Sequence, residues 1–377
     1  MKKFLLPIML ATLLLLSLPL TACASDFDKS EYNNYLSQYD LSSFEDTLDE
    51  DTYSALKDLN LDEFDFESIQ SLSFEQIAKL AVSIASGKAK TPIMGSLAVM
   101  AFIILTSLLQ GLKNTDDGMN SAYSVASSVI IAVLLIVEIS STATMACTSI
   151  AVASDFIYAF LPVFFAIVMA GGGVTTAFST NSTLLMLSQG LSFIASNVFL
   201  PLINCFLALG VCSSLSPEIH LERLVSGLKK GITSALSFVA AVFVSILSIK
   251  TSVAARADVL GIRSIRLVIN TVIPVVGASI SEGLLSIQGY SSLIKSSVGI
   301  VGIIAIALVF LPSVIQVVIW RITLSICVIT ADVFNEKTVC NVLCAFRDAM
   351  LLINVLLIIS MLTTTISIGV LVAAHTG

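Results

Sequence analysis

Charge is scarce in this chain, and so are the residues that most enzymes use. Only 12% of the 377 residues are Asp, Glu, Lys or Arg, whereas 56% are hydrophobic and the mean hydropathy is +0.98. A water-soluble protein of this length could not bury that much apolar surface. The composition therefore excludes an ordinary soluble enzyme and indicates a protein that lies in the lipid bilayer, and we expect no nucleic-acid partner.

The residues that form metal, nucleotide and protease sites are also missing. The chain has only two histidines, His220 and His375, and its seven cysteines form no CxxC pair. Cys340 and Cys344 lie one helical turn apart, but without a neighbouring histidine they are better explained as small buried hydrophobic residues. No HExxH motif and no glycine-rich nucleotide loop occur. We therefore predict no catalytic residue, no metal site and no cofactor.

What the chain has instead is a set of long uncharged runs. The runs 93–112, 118–137 and 296–320 contain no charged residue, and each can cross a hydrocarbon core of about 30 Å. The run 156–217 has room for two spans around a polar, glycine-rich turn at 171–182. Further candidate spans are 231–249 and 349–374. The pattern predicts an all-α, polytopic membrane protein with about six to eight spans, in a transmembrane domain over 91–377.

The amino terminus has the order of a secretory signal. A basic start at Lys2 and Lys3 precedes an apolar segment, and small residues close the segment 1–24. The sequence LTAC resembles a bacterial lipobox, which predicts lipidation of Cys23. Alternatively, the sequence ACA around the same cysteine would be cleaved before Ser25. An uncleaved anchor is the third alternative.

An acidic region follows at 25–90. Residues 26–86 contain 15 acids and three bases, a net charge of −12 (3 − 15), so the overall charge of −7 averages two different parts of the chain. Ser73 and Gln76 form a capping-box start and apolar residues then recur at near-helical spacing, which predicts a helix over 73–86. We expect a small helical region outside the cytoplasm, with a solvated acidic surface.

Two acids interrupt the apolar part of the chain. Glu138 and Asp155 are predicted to lie at the ends of two separate spans, 118–142 and 156–170, and to flank the loop ISSTATMACTSIAVAS at 139–154. The first of these spans would return to the outside and the second would go back in.

Basic residues on both sides of segment 231–249 bear on the topology. The flank that follows this segment, 250–266, carries Lys250 and three arginines, more positive charge than the flank that precedes it. Because positive loops are retained in the cytoplasm, we predict that 250–266 faces the cytoplasm.

The stretch NTVIPVVGASISEG, residues 270–283, combines helix-breaking and polar residues within a long apolar segment. Pro274 interrupts or kinks a helix, and Gly277 allows another backbone to approach closely. Ser281 can form a hydrogen bond between helices, and Glu282 is costly in lipid unless it is solvated or paired. Two interpretations stay open: an interrupted element that lines an aqueous path, and an ordinary kinked packing helix.

These residues also carry a resemblance. The matching features within 250–316 are KTSVA at 250–254, Ala257-Asp258, PVVGxxxSE at 274–282, Leu293-Ile294-Lys295, and Gly299-x-x-Gly302. In them the chain resembles the stage III sporulation protein AE family of endospore-forming bacteria. The resemblance implies a multi-pass protein of the mother-cell membrane around the forespore. It also implies membrane-protein partners in a channel or secretion-like complex that links the two cells.

We therefore expect a non-catalytic subunit of such a complex, with Pro274, Gly277, Ser281, Glu282, Gly299 and Gly302 as packing or pore-lining residues. Homo-oligomerisation stays open. The alternative is a self-contained secondary transporter for a small solute, which a repeated VFLP phrase at 198–201 and 309–312 would suit if it marks an internal duplication. Chance similarity between apolar helices explains the repeat equally well.

Overall fold

The computed structural model describes the backbone of residues 36–39, 47–61, 72, 74–112, 117–172, 174–215, 221–272 and 277–373. It describes their side chains except at 74, 110–112, 117–121, 174–182, 251–252, 254–272, 277–290, 370–371 and 373. The α-helices of this part of the chain are α1 (Glu50–Asp58), α2 (Phe74–Lys88), α3 (Lys90–Leu112), α4 (Asp117–Ala170), α5 (Val174–Ile194), α6 (Leu200–Leu215), α7 (Glu222–Val272), α8 (Gly277–Val333) and α9 (Lys337–Ala373). A π-helical turn, Ala195–Phe199, joins α5 to α6.

Within the described residues, six helical segments are long and apolar enough to cross a membrane. They are Lys90–Leu109, Ala122–Ala170, Thr183–Leu215, Glu222–Lys250, Ser291–Val333 and Lys337–Gly369. In lipid a helix satisfies all of its own backbone hydrogen bonds, which is why such sequences form helices rather than open strands. The predicted all-α polytopic membrane fold is confirmed.

Two short helices precede the first of these segments. The helix predicted over 73–86 is observed as α2, Phe74–Lys88, and it packs together with α1 against α8. Lys88 at the end of α2 lies 3.6 Å from a carboxylate oxygen of Asp51 in α1. The part of the amino-terminal region that the structure describes is therefore helical and attached to the membrane domain.

Helix α4 contradicts the loop that Glu138 and Asp155 were predicted to flank. It runs without interruption through 139–154. That segment contains neither glycine nor proline, and its hydroxyl groups turn back onto the helix, as where Thr142 donates to the Glu138 carbonyl over 2.9 Å and Thr148 to the Thr144 carbonyl over 3.2 Å. Hydroxyls satisfied in this way do not compete with the helix. The two spans predicted as 118–142 and 156–170 are one helix.

Two turns are short because each contains a residue with positive φ. One connects α4 to α5, and the other connects α8 to α9. Gly172, with φ 88°, reverses the chain directly after α4, so the turn predicted at 171–182 ends before Val174, where α5 begins. Asn335, with φ 60°, ends α8, and the Glu336 N–H donates to the Ala331 carbonyl over 3.0 Å. Asparagine is among the few residues other than glycine that adopt this left-handed conformation readily.

Helices α4, α8 and α9 form the centre of the protein. More than half of the α8 and α9 spans is buried, against about a fifth of the α3 span. Hydrogen bonds set the direction of α4 relative to α8: Ser149 Oγ lies 2.7 Å from Ser313 Oγ, and Ser124 Oγ donates to a Glu336 carboxylate oxygen over 2.9 Å. Later residues of α4 thus meet earlier residues of α8, and the two helices are antiparallel.

Phe-Leu-Pro occurs at 160–162 as well as within the two VFLP phrases, and all three prolines lie within helical structure. Pro162 is inside α4 and Pro312 is inside α8. Pro201 is the second residue of α6 and follows the π-helical turn directly. A proline cannot donate to the carbonyl one turn earlier, and a widened turn is a common way to accommodate it. The duplication stays a hypothesis.

The continuity of α4 changes the predicted topology. If each of the six candidate segments crosses the membrane once, four crossings lie between residues 26–86 and 250–266, and an even number returns the chain to the side on which it started. The two regions then lie on the same side. The predictions that 26–86 is outside and that 250–266 is cytoplasmic therefore exclude each other under single crossings.

We expect a reporter fused after Gly87 and a cysteine introduced at Ser264 to report the same side of the membrane. A cysteine at Asn335, in the turn between α8 and α9, should report the opposite side and serves as the control. Labelling with a membrane-impermeant thiol reagent in intact and permeabilised cells locates the two cysteines, and the compartment-dependent activity of the reporter locates the position after Gly87. Opposite sides for the first two positions would show that α4 or another segment does not cross once.

Candidate functional site

Two of the predicted small residues of α8, Gly299 and Gly302, lie where it meets α4 and α9. A Cβ atom added to Gly302 would be 2.8 Å from the Cε2 and Cζ atoms of Phe160, closer than real side chains pack. A Cβ added to Gly299 would overlap the Val372 side chain and lie 3.5 Å from Cε2 of Phe164. The space beside both glycines is occupied by side chains of the neighbouring helices.

The rings that face these glycines form a column on α4. Phe156 and Phe160 have ring centroids 5.5 Å apart, and the stacked rings of Phe160 and Phe164 are 5.2 Å apart. Sequence reasoning missed this column, although the spacing of four residues places all three rings on one face of a helix. The spacing FxxxFxxxF, together with GxxG on another apolar helix, was the available signal.

About two turns before Gly299, the contact between α8 and α4 continues through polar atoms. The Ser291 hydroxyl donates to the Ile167 carbonyl over 2.7 Å, and its oxygen would be 2.8 Å from a Cβ added to Gly171. Lys295, on the same face of α8 between Ser291 and Gly299, is only 4% exposed. The carboxyl-terminal ends of α4 and α9 reach this level, and helix C-termini carry partial negative charge that suits a lysine.

Two further close contacts attach peripheral helices to this centre. A Cβ on Gly95 of α3 would be 2.9 Å from Cη2 of Trp320, the single tryptophan of the chain. A Cβ on Gly210 of α6 would be 2.9 Å from Cβ of Ala345 in α9. Small residues that allow helices to approach closely are the typical means of helix association in lipid.

The interrupted stretch is only partly covered by the structure. Helix α7 ends at Val272 and α8 begins at Gly277, and the two helices pack against each other. Pro274 lies outside the described residues. The backbone places Gly277, Ser281 and Glu282 in the first turns of α8, but the side chains of these residues lie outside the description, and so does Cys23. Their packing, pore-lining and lipidation roles stay predictions.

A layer of polar side chains crosses the centre of the bundle. Besides the Ser149–Ser313 pair, Gln316 Nε2 lies 3.4 Å from Thr142 Oγ1. Asn354 of α9 is fully buried, and neither of its amide atoms has a hydrogen-bond partner in the described structure. A buried amide without a partner costs free energy of folding. The buried amide of Asn354 therefore opposes the stability of the centre rather than adding to it.

Charged residues of three helices lie together farther along α8. Lys229 of α7 forms an ion pair with Asp348 of α9, with 2.7 Å between Nζ and a carboxylate oxygen. Arg321 of α8 interacts electrostatically with Asp348 and with Arg347. Sequence reasoning missed this cluster because it considered charges only as flanks of the spans. Arg321 and the Arg347-Asp348 pair inside apolar segments were the signal.

Metal ligands do not come together in the described part of the chain. No three of its His, Cys, Asp and Glu side chains lie close enough to hold an ion. Cys344 instead accepts a weak hydrogen bond from Arg347 Nη2 at 3.5 Å. The site that this part of the structure supports is a helix-packing site with a charged cluster beside it.

Replacing Gly302 by Leu should destabilise the protein, because the new side chain has to displace Phe160. Overpacking of this kind typically lowers the free energy of unfolding by ~1–3 kcal/mol. Gly190→Leu on α5 is the control, since a Cβ there meets nothing within 4 Å. Unfolding of the purified proteins in detergent measures both, and equal losses in the two variants would contradict the assignment.

Comparison with known proteins identifies the family of this chain. The family model described as Stage III sporulation protein AE matches residues 61–375. The stage III sporulation protein AE of Bacillus subtilis (strain 168) is 24% identical over 233 residues, which are 61% of this chain and 57% of that relative. No solved structure matches the chain. Because the family model extends over most of the chain, including the three central helices, the protein belongs to the stage III sporulation protein AE family.

Proposed function

We propose that the protein is a non-catalytic membrane subunit of a channel complex that links the mother cell to the forespore and supports late forespore development. The observation that carries this proposal is family membership over residues 61–375. The described geometry supports a subunit role, since helices α3, α4, α7 and α8 expose apolar side chains suited to lipid or to other membrane helices.

The packing of the central helices favours a subunit over a self-contained carrier. At Gly299 and Gly302, the small residues provide space for Phe164 and Phe160 rather than for a solute. A transporter site usually gathers polar groups at the interface of its repeats near mid-membrane. In the described residues, the part of the α8–α4 interface around Gly299 and Gly302 is filled by aromatic and aliphatic side chains. This part lies between the polar layer and Ser291.

The location that fits this role is the mother-cell membrane around the forespore, with the acidic amino-terminal region on its outer side. That region has a net charge of −12 over 26–86 and can contact a basic surface of another subunit. Helices α1 and α2 pack against α8, so a partner bound there would lie next to the central bundle.

A secondary transporter is the second candidate function. The end of α7 at Val272 and the start of α8 at Gly277 give an interrupted segment of the kind that transporters use around a substrate. Such a protein would work without the other subunits, which separates the two proposals experimentally.

A strain that lacks the protein should grow normally in vegetative culture and arrest after engulfment, with late forespore gene expression lost. Fluorescent reporters of early and late forespore genes measure the arrest. The purified protein in liposomes should show no gradient-driven solute uptake by itself. Robust uptake by the isolated protein, together with normal sporulation of the deletion strain, would favour the transporter.

Substitutions in the interrupted stretch test its proposed role. Gly277→Leu and Pro274→Leu should reduce sporulation more than Leu308→Ile, because a large side chain prevents close helix approach whereas Leu308→Ile conserves volume at a buried position. Glu282→Gln removes the negative charge of this side chain and keeps its ability to form hydrogen bonds, so it tests the two contributions separately. Normal spore counts for both Gly277→Leu and Glu282→Gln would show that the stretch has no special role.

A further inference from the structure

We propose that Lys229, Arg321 and Arg347 form a binding site for one phosphate group, supplied by the headgroup of an anionic lipid. The site lies where α7, α8 and α9 meet, away from Gly299 and Gly302 and from the interrupted stretch. It does not depend on the channel role, since any membrane protein with this geometry could hold such a lipid.

The charges in the cluster do not balance. Three bases accompany one acid, Asp348, which is a net charge of +2 (3 − 1) for these four residues. Asp348 is already bound to Lys229 at 2.7 Å. Arg321 interacts electrostatically with both Arg347 and Asp348, so the two guanidinium groups depend on the same carboxylate. Like charges at close range in a low-dielectric region repel strongly, and an additional anion would relieve that repulsion.

The guanidinium groups also have hydrogen bonds to give. The Nε atom of Arg321 is buried and has no hydrogen-bond partner in the described structure. Arg347 uses Nη2 for a thiol contact of 3.5 Å, which is a weak interaction. Each guanidinium carries five N–H donors in a planar arrangement that fits two oxygens of a phosphate at once. A phosphate fits this donor set better than a spherical halide.

The position of the cluster favours a lipid over a soluble anion. Arg321 and Asp348 belong to the spans Ser291–Val333 and Lys337–Gly369. Lys229 and Asp348 are 27% and 32% exposed, so the ion pair can be reached from outside the bundle. The residue after Arg321, Ile322, is 56% exposed, and an exposed apolar side chain within this span is suited to contact with lipid. Basic pockets between transmembrane helices are known means of binding anionic headgroups.

The test uses the purified full-length protein in a neutral detergent. Thermal unfolding and native mass spectrometry are recorded with dioleoyl phosphatidylglycerol, with dioleoyl phosphatidylcholine and with inorganic phosphate. We expect phosphatidylglycerol to raise the unfolding temperature and to remain bound, and phosphatidylcholine to do neither. Arg321→Gln/Arg347→Gln should weaken phosphatidylglycerol binding by about tenfold or more, as the loss of two charge-assisted hydrogen bonds predicts.

Three further variants distinguish a loss of lipid binding from misfolding. Lys230→Gln is the matched control, since Lys230 is the exposed neighbour of Lys229 and should leave lipid binding unchanged. Arg321→Lys/Arg347→Lys keeps the charges and should retain part of the affinity. Asp348→Asn removes the competing carboxylate and should bind phosphatidylglycerol more tightly than the unaltered protein.

The outcomes decide the proposal and the source of the phosphate. Stabilisation by inorganic phosphate as well, lost in Arg321→Gln/Arg347→Gln, would support the phosphate site and assign it to soluble phosphate compounds in addition to lipid. The proposal is overturned if phosphatidylglycerol and phosphatidylcholine act equally, or if Asp348→Asn binds more weakly. It is also overturned if cross-linking shows an acidic segment of another protein on Arg321 in place of lipid.

Discussion

The contact of α8 with α4 and α9 at Gly299 and Gly302 determines how the rest of the molecule is arranged. Because neither glycine has a side chain, the aromatic column of α4 can lie directly against the backbone of α8. In lipid there is no hydrophobic effect to bring apolar helices together, so dispersion between closely fitted surfaces has to do it. The peripheral helices then attach to this centre through the same kind of contact, as Gly95 does at Trp320.

Hydropathy predicted the broad fold because it responds to the length and apolarity of each segment. It identified the apolar parts of α3, α4, α7, α8 and α9. The capping-box signal predicted α2, and the predicted carboxyl-terminal end of this helix lies two residues before the observed one. It failed at 139–154, where Ser and Thr lower the hydropathy while their hydroxyls bond within the helix. Side-chain polarity alone does not distinguish a loop from a helix whose hydroxyls are satisfied locally.

The candidate site was predictable only where backbone geometry dominates. Glycine spacing located Gly299 and Gly302, since close approach needs small residues whatever the partner helix is. The partners themselves, Phe160 and Phe164, depend on which helices become neighbours, and the sequence does not state that. The charged cluster has the same origin: Lys229 lies more than 90 residues before Asp348, and only the packing of α7 on α9 brings the two together.

The dimensions of α8 have a consequence for assembly. Its apolar segment Ser291–Val333 has 43 residues and is therefore about 65 Å long. Tilted by 40°, the upper end of what membrane helices adopt, it would still extend about 50 Å along the membrane normal, against about 30 Å of hydrocarbon. About 20 Å of the central bundle then stands clear of the lipid tails. That part of the bundle has to be covered by lipid headgroups, by water or by another protein, since the lipid tails do not reach it.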